Sequence, residues 1–255
     1  MKKLLKIFGV LIVLLIVGVV CVFFFLGTIV KRGVEKVGPR VTKTEVKLDG
    51  ATLSLFSGSG ELKGFVVGNP EGFKSPSIIR VGTMGVQVVP KSVMSDKVVV
   101  HSVKVIAPEI TLEGDLSGNN LSKLLENIKG SSEKDKQATT KQEKSSQKKL
   151  QVDDFLITGA KVQATMGVLG NTASGTVTVP DIHLTKLGEG ENGITAAELS
   201  EKIVSALLQQ TLQAVATQSG NLGKVLSGSI KGGGTGAVQN IENLTKGVGD
   251  LFKKK

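Results

Sequence analysis

The most restrictive feature of the sequence is an uncharged apolar run over residues 7–30. A helix of that length reaches about 36 Å, and the hydrocarbon core of a bilayer is about 30 Å thick. A cleaved signal peptide has a shorter apolar region that ends in small residues, whereas Phe23, Phe24 and Phe25 occupy the end of this run. The run therefore predicts an uncleaved transmembrane helix over 7–30.

The sequence around this run predicts the orientation of the chain. Residues 1–6 hold three lysines, and basic residues also follow the run, so the positive-inside count does not favour either side. A short basic stub before a single apolar run is typical of a signal anchor. We therefore expect residues 1–6 in the cytoplasm and the bulk of the chain on the extracytoplasmic side.

The composition excludes several classes of function. The formal net charge is +10, but the excess lies in residues 1–6, 129–149 and 253–255. A nucleic-acid-binding protein carries its excess on a folded face, so no nucleic-acid partner is expected. One cysteine and two histidines argue against a disulfide framework and a structural zinc site, and we expect no cofactor and no metal.

Residues 31–128 form a first β-rich segment. Apolar residues alternate with polar ones, and turn signals interrupt them at Asp49 and Gly50, at residues 57–60 and at residues 68–70. A short helix is predicted over 121–128, where leucines recur on one face. Residues 129–149 are rich in Lys, Ser, Gln and Glu, which predicts a disordered charged linker.

A second β segment with a helix follows over residues 150–217. Its strands precede an amphipathic helix predicted at 196–217. Residues 218–255 form a glycine-rich tail in which 237–252 has the pattern of another amphipathic helix. The predicted fold is β-rich α+β: a transmembrane helix, a curved antiparallel sheet of repeated hairpins (a β-groove or a sandwich) and C-terminal amphipathic helices.

Three segments share a strand, small-residue corner, strand pattern. They are VKLDGATL at 46–53, VKVIAPEI at 103–110 and FLITGAKV at 155–162. Repeated units that stack edge to edge build an elongated curved sheet. The alternative is an ordinary sandwich whose hairpins look alike.

Several short motifs resemble the AsmA-like family. They are KLDGA at 47–51, LKGFVVGNPEGF at 62–73, PEITLE at 108–113, GNNL at 118–121, and VPDIHL at 179–184 with Leu187 and Gly188. The resemblance implies an inner-membrane protein of a diderm bacterium whose groove faces the periplasm. Larger members are similar to bridge-like lipid-transfer proteins with a curved sheet that shields acyl chains. A sheet of eight to ten strands would span only about 40–50 Å, so a groove near the membrane or a protomer of an assembly is the expected version.

No arrangement of residues predicts catalysis. By the period of a strand, His101 shares a face with Val99 and Val103, and His183 is isolated. Asp153 and Asp154 are adjacent on a strand and are expected to point to opposite faces. We therefore expect no enzyme activity.

The expected function is binding or movement of phospholipid in the envelope through an apolar β-groove. The alternative is a scaffolding protein whose sheet edges and C-terminal helices bind a protein partner, and the sequence leaves any homo-oligomer open. The same apolar residues could instead pack against helix 196–217. The candidate lipid-contact residues are Leu53, Leu55, Phe65, Val67, Val86, Val88, Val103, Val105, Phe155 and Ile157.

Overall fold

The computed structural model describes residues 2–115, 118–140, 148–168 and 171–218. This part contains the helices α1 (Lys2–Thr42), α2 (Asn120–Thr140) and α3 (Ala196–Gln218) and a short 3-10 helix (Pro90–Met94). Its nine strands are β1 (Val46–Leu53), β2 (Ser59–Gly68), β3 (Ser77–Val88), β4 (Lys97–Ile106), β5 (Glu109–Asp115), β6 (Lys149–Thr158), β7 (Lys161–Val168), β8 (Asn171–Thr178) and β9 (Ile182–Leu187).

All nine strands belong to one sheet that curls into a half-barrel. β1, β2 and β3 pair antiparallel in chain order. β3 then pairs with both β4 and β5 in one continuous register, because Thr83 lies opposite Ile106 and Arg80 lies opposite Glu109. β4 and β5 are therefore two halves of one long strand, and the same continuity joins β6 to β7 and β8 to β9.

The predicted antiparallel sheet is wrong in one respect, because the sheet is mixed. β4 pairs parallel with β6, and β5 pairs parallel with β7. The predicted repeats at 103–110 and 155–162 lie side by side here, with Val103 opposite Phe155 and Ile110 opposite Val162. These two repeat segments run in the same direction, and the pairing between them is therefore parallel.

None of the three predicted repeats is a hairpin, because β4 continues into β5 and β6 into β7 in one register. Residues 46–53 form the single strand β1, and the expected turn at Asp49 and Gly50 is absent from it. Gly64 on β2 lies opposite Asp49 with φ of 62°, and a Cβ built there would lie 1.9 Å from Asp49 Oδ2. The small residues at Asp49 and Gly50 therefore accommodate a local distortion of the paired strands instead of reversing the chain.

One row of residues across the sheet forms a crease. On either side of this row the inward-facing residues are three apart rather than two, as Val81 and Met84 show on β3, and Ile157 and Ala160 at the β6–β7 junction. This spacing reverses the alternation of inward-facing residues, while the pairing registers continue across the row without a shift. The pairing registers place six residues on the crease: Asp49, Gly64, Gly82, Ala107, Gly159 and Pro180.

The crease is held by hydrogen bonds between neighbouring strands. The backbone N–H of Ala107 donates to Thr158 at 2.8 Å, and that of Val179 donates to Ala160 at 2.9 Å. Positive φ angles at Ala107 (47°) and Gly159 (66°) accompany the bend. The curl of the sheet is therefore built into the backbone where three long strands kink together.

The core lies between the inner face of the sheet and helices α2 and α3. α3 contacts β6, β8 and β9, and α2 contacts β5 and α3. The fully buried side chains of this core include Ile110, Leu112, Leu121, Leu124, Ile128, Val162 and Val215. Burying a Val or Leu side chain contributes about 1.5–3 kcal/mol, so this helix-covered region stabilises the sheet.

Helix α2 is longer than predicted. It was expected to end at residue 128 and to be followed by a disordered linker over 129–149, but the helix continues to Thr140. Ser131 and Ser132 are buried, and the Ser131 hydroxyl lies 3.0 Å from the Val41 carbonyl at the end of α1. Asn127 donates to the Thr42 carbonyl at 3.1 Å. These contacts with α1 stabilise helix in a segment whose composition alone favours disorder.

Helix α1 lies along the outer edge of β1. Leu48 donates its N–H to Glu35 Oε1 at 3.3 Å, and Lys31 Nζ donates to the Asp49 carbonyl at 3.3 Å. Gly38 allows this approach, because a Cβ there would lie 2.7 Å from Val46. An exposed edge strand is a template for unwanted pairing, and α1 covers this one.

Parts of two sequence predictions lie outside the described residues. They are the remainder of the charged linker at 141–147 and the glycine-rich tail at 219–255 with its predicted helix 237–252. Side chains at 12–24, inside the predicted span, are also outside the description. Within the residues that are described, no helix meets the length and hydropathy of a membrane-crossing segment.

Candidate functional site

The inner face of the sheet carries a half-buried apolar area beside the helix-covered core. On one side of the crease, β1 to β4 contribute inward-facing residues that are neither fully buried nor fully exposed. We call them the open patch: Leu53, Leu62, Val86, Val88, Val100 and Val103. Alternation along each strand, corrected for the extra residues at bulges, puts them on one face.

Pairing registers bring the open patch together. Gly60 lies between Leu53 and Val86, and a Cβ built on Gly60 would lie 3.0 Å from Leu53 and 2.9 Å from Val86. Val86 pairs with Val103, and Val88 pairs with Val100. The patch is thus a continuous apolar strip across four strands.

The ten candidate lipid-contact residues divide into groups. Leu53, Val86, Val88 and Val103 lie in the open patch, and Phe65 is half-buried across the crease. Leu55 lies beyond the end of β1 in an exposed turn. The other four are buried in the core between the sheet and the helices: Val67, Val105, Phe155 and Ile157. The surroundings of these four residues are those that the alternative interpretation gave them, which is packing inside the protein core.

Sequence reasoning missed Leu62 and Val100. A strict period of two puts Val100 and Val103 on opposite faces, but both pack against the core. The register shifts at this point, since Gln87 pairs with Ser102 and Val88 pairs with Val100. The pair His101 and Ser102 between two inward-facing valines was the only sequence signal of a bulge.

His101 was predicted to share the face of Val103, and this is wrong. The bulge turns His101 outward, where it is exposed and its Nδ1 lies 2.9 Å from Asp153 Oδ2. A hydrogen bond from the Gln151 side chain, followed by the one from His101, lowers the pKa of Asp153. Asp154 pairs with the second histidine, His183, at 2.5 Å.

These exposed pairs do not form a metal centre. Among the described residues, no group of three or more His, Cys, Asp or Glu side chains is placed to hold a metal ion. The pairs bridge β4 to β6 and β6 to β9 on neighbouring long strands. Exposed ion pairs of this kind contribute little to stability.

A polar cluster joins the β2–β3 loop to β5 and α2. Asn69 donates to Glu113 Oε2 at 3.3 Å, and Asn120 donates to Asn69 Oδ1 at 3.0 Å. Asn120 also accepts the backbone N–H of Glu113 at 3.0 Å. We call Asn69, Glu113 and Asn120 the polar latch. All three belong to the short motifs GNP, PEITLE and GNNL that were singled out in the sequence.

The described fold is a curled mixed sheet with an N-terminal helix, and the polar latch joins a loop of the sheet to α2. The AsmA family model matches residues 1–198, so the chain belongs to the AsmA family. A search of curated proteins found no match to the chain. The match covers α1, the whole sheet and the first residues of α3, and therefore both the open patch and the latch.

Proposed function

We propose that this protein is anchored in the bacterial inner membrane by α1 and binds or helps move phospholipid on the periplasmic side. Its role is in envelope biogenesis, and it acts by binding rather than by catalysis. Membership of the AsmA family and the curled sheet are compatible with this function. The observation that carries the proposal is the open patch, an apolar strip on the inner face of the curl.

The energetics favour an acyl chain as the occupant. Each CH₂ group removed from water contributes about 0.8 kcal/mol. The open patch offers only Val and Leu side chains, so it provides apolar contact without a directional hydrogen bond. A ligand held this way is recognised by its hydrocarbon part, and its polar head group remains in water beside the sheet.

The scaffolding alternative rests on the opposite edge of the sheet. β8 and β9 form an outer edge that pairs with no other strand in the described part of the chain. A strand from a partner, or from a second copy, can add to such an edge through main-chain hydrogen bonds. This alternative needs no ligand in the open patch.

The two functions are separated by lipid analysis of the full chain. The protein is purified in detergent from bacterial membranes and examined by native mass spectrometry with lipid extraction. Lipid binding predicts bound phospholipid that is retained through detergent exchange and reduced in Val88→Gln. The matched control is Thr83→Gln, which places the same side chain at an exposed position of β3 outside the open patch.

The outcome decides between the proposals. Equal phospholipid on wild type, Val88→Gln and Thr83→Gln would mean that the lipid is only an annulus around the anchor, and lipid binding by the patch would be rejected. A folded protein without lipid whose self-association depends on β8 would favour scaffolding.

A further inference from the structure

Helix α1 and strand β1 run side by side in opposite directions, so that each part of the helix lies beside a definite residue of the strand. Gly38 lies against Val46, and a Cβ on Gly27 would lie 2.1 Å from the Ala51 carbonyl oxygen. Between these contacts the helix advances eleven residues and the strand five, and both distances are about 16 Å. The two axes are therefore nearly parallel over this length.

This alignment sets the level of the turn that follows β1. From Ala51 to Ser54 the strand advances about 10 Å, which equals about seven helical residues. Ser54 therefore lies level with the part of α1 near position 20. That position is inside the apolar run at 7–30, about ten residues before the run ends.

A second turn lies at the same end of the sheet. Val88 donates its N–H to the Gly58 carbonyl at 2.8 Å, which joins the β1–β2 turn to the start of the 3-10 helix Pro90–Met94. Both turns present apolar side chains to solvent: Phe56 is 89% exposed and Met94 is 91% exposed. Leu55 and Val93 are also exposed. We call these four residues the apolar tip.

We infer that the apolar tip inserts into the same bilayer that holds α1. The inference rests on the anchoring part of the proposed function. If the run at 7–30 lies in the bilayer, this alignment places the exposed apolar side chains of the tip level with part of that run. Exposed apolar patches at such a position mark a membrane or partner contact, and the level of the tip selects the membrane.

The charges behind the tip fit a phospholipid surface. Lys91 and Lys148 are exposed there, with the exposed carboxylate of Asp96 near them. Lys148 Nζ bonds to the Val93 carbonyl, so this cation lies directly behind the tip. Such lysines attract the anionic head groups of phospholipids.

Insertion of the tip also places the open patch at the membrane. Leu53 and Val88 end the strands that lead into the two turns. An acyl chain leaving the bilayer beside the tip would therefore meet the open patch without crossing water. The tip makes the patch a continuation of the hydrocarbon layer.

The test measures the depth of single positions in the full-length chain. In a Cys21→Ala background, Phe56→Cys, Met94→Cys, Leu11→Cys and Glu71→Cys are each labelled with an environment-sensitive fluorophore. The protein is reconstituted into vesicles of phosphatidylethanolamine and phosphatidylglycerol, with quenchers attached either to the acyl chain or to the head group. Glu71 is the matched control, because it is exposed in the β2–β3 turn at the other end of the sheet.

Insertion predicts blue-shifted emission and acyl-chain quenching at positions 56, 94 and 11, but not at 71. Quenching at 11 alone, with 56 and 94 as water-exposed as 71, would overturn the inference and leave the anchor intact. Water exposure at all four positions would overturn both the anchor and the inserted tip. Lipid binding by the open patch is measured separately, so its failure is distinguishable from either result.

Discussion

The carboxylate of Glu113 accepts the backbone N–H of Lys74 at 2.8 Å, although the two residues lie 39 positions apart. It also accepts the N–H of Ser75 at 2.9 Å. Partial burial acts to raise the pKa of Glu113, but the hydrogen bonds from Ser75, Lys74 and Asn69 outweigh it and hold the pKa below the ordinary value of 4.5. The ionised latch therefore fixes the β2–β3 loop on β5.

The first prediction concerns this latch. Glu113→Gln should lower the free energy of unfolding by roughly 1–3 kcal/mol at neutral pH, because charge-assisted hydrogen bonds are lost. Thermal unfolding of the full chain in detergent measures the effect. Glu109→Gln is the control, because Glu109 is an exposed carboxylate at the start of the same strand.

The pH dependence of this effect has a defined sign. Since the folded pKa is lowered, the stabilisation is fully present above the unfolded pKa and is lost as pH falls through the folded pKa. The stability difference between wild type and Glu113→Gln should therefore shrink below about pH 4. A difference that stays constant to low pH would show that the ionised carboxylate is not the stabilising species.

The second prediction concerns the crease. Gly64→Ala should destabilise the protein by about 1–3 kcal/mol, because φ is positive at this position and the new Cβ would meet the Asp49 side chain. Chemical denaturation compares it with Gly85→Ala on the neighbouring strand, where a Cβ meets no atom within 4 Å. Equal stability of the two variants would mean that the crease does not require glycine.

The third prediction concerns the covered edge of β1. Glu35→Ala should increase amide hydrogen exchange at Leu48, because this amide donates to Glu35 Oε1 and the substitution removes its acceptor. Lys36→Ala, at the adjacent exposed position, should leave that exchange unchanged. Unchanged protection of Leu48 in Glu35→Ala would mean that α1 does not shield the edge through this contact.

The fourth prediction separates core from open patch. Val105→Gln should cost about 1–3 kcal/mol of unfolding free energy, because it buries an amide among apolar side chains. Val88→Gln should cost less than about 1 kcal/mol, because the half-buried site lets the amide reach water. Denaturant unfolding of both variants provides the comparison, and an equal loss would place Val88 in a filled core.

Of the three predicted repeats, two lie side by side in the sheet, and none is a hairpin. Residues of the segment 103–110 lie opposite the residues at the same places in the segment 155–162, as Val103 opposite Phe155 and Ile110 opposite Val162 show. The parallel pairing was not predicted, because alternation within a strand says nothing about the direction of its neighbour. The corner expected at Asp49 was wrong because Asp49 and Gly50 lie inside the continuous strand β1, opposite Gly64 at the crease.

The sequence predicted which face of the sheet a side chain occupies only where the alternation is uninterrupted. The spacing of three at the crease and the extra residue near His101 each reverse the alternation. A strict period of two therefore fails for Val100 and His101. The length of α2 was equally hidden, because Ser131 gains its stabilisation from carbonyl groups of α1 about 90 positions earlier. Such contacts depend on the assembled fold and leave no local pattern.

The most direct test of lipid binding is photo-crosslinking in living bacteria. A photoreactive amino acid replaces either Val100, in the open patch, or Lys104, which is exposed on the same strand β4. After irradiation, mass spectrometry of the purified chain reports covalent phospholipid adducts. The account predicts adducts at position 100 and not at 104; adducts at neither position, or equally at both, would contradict it.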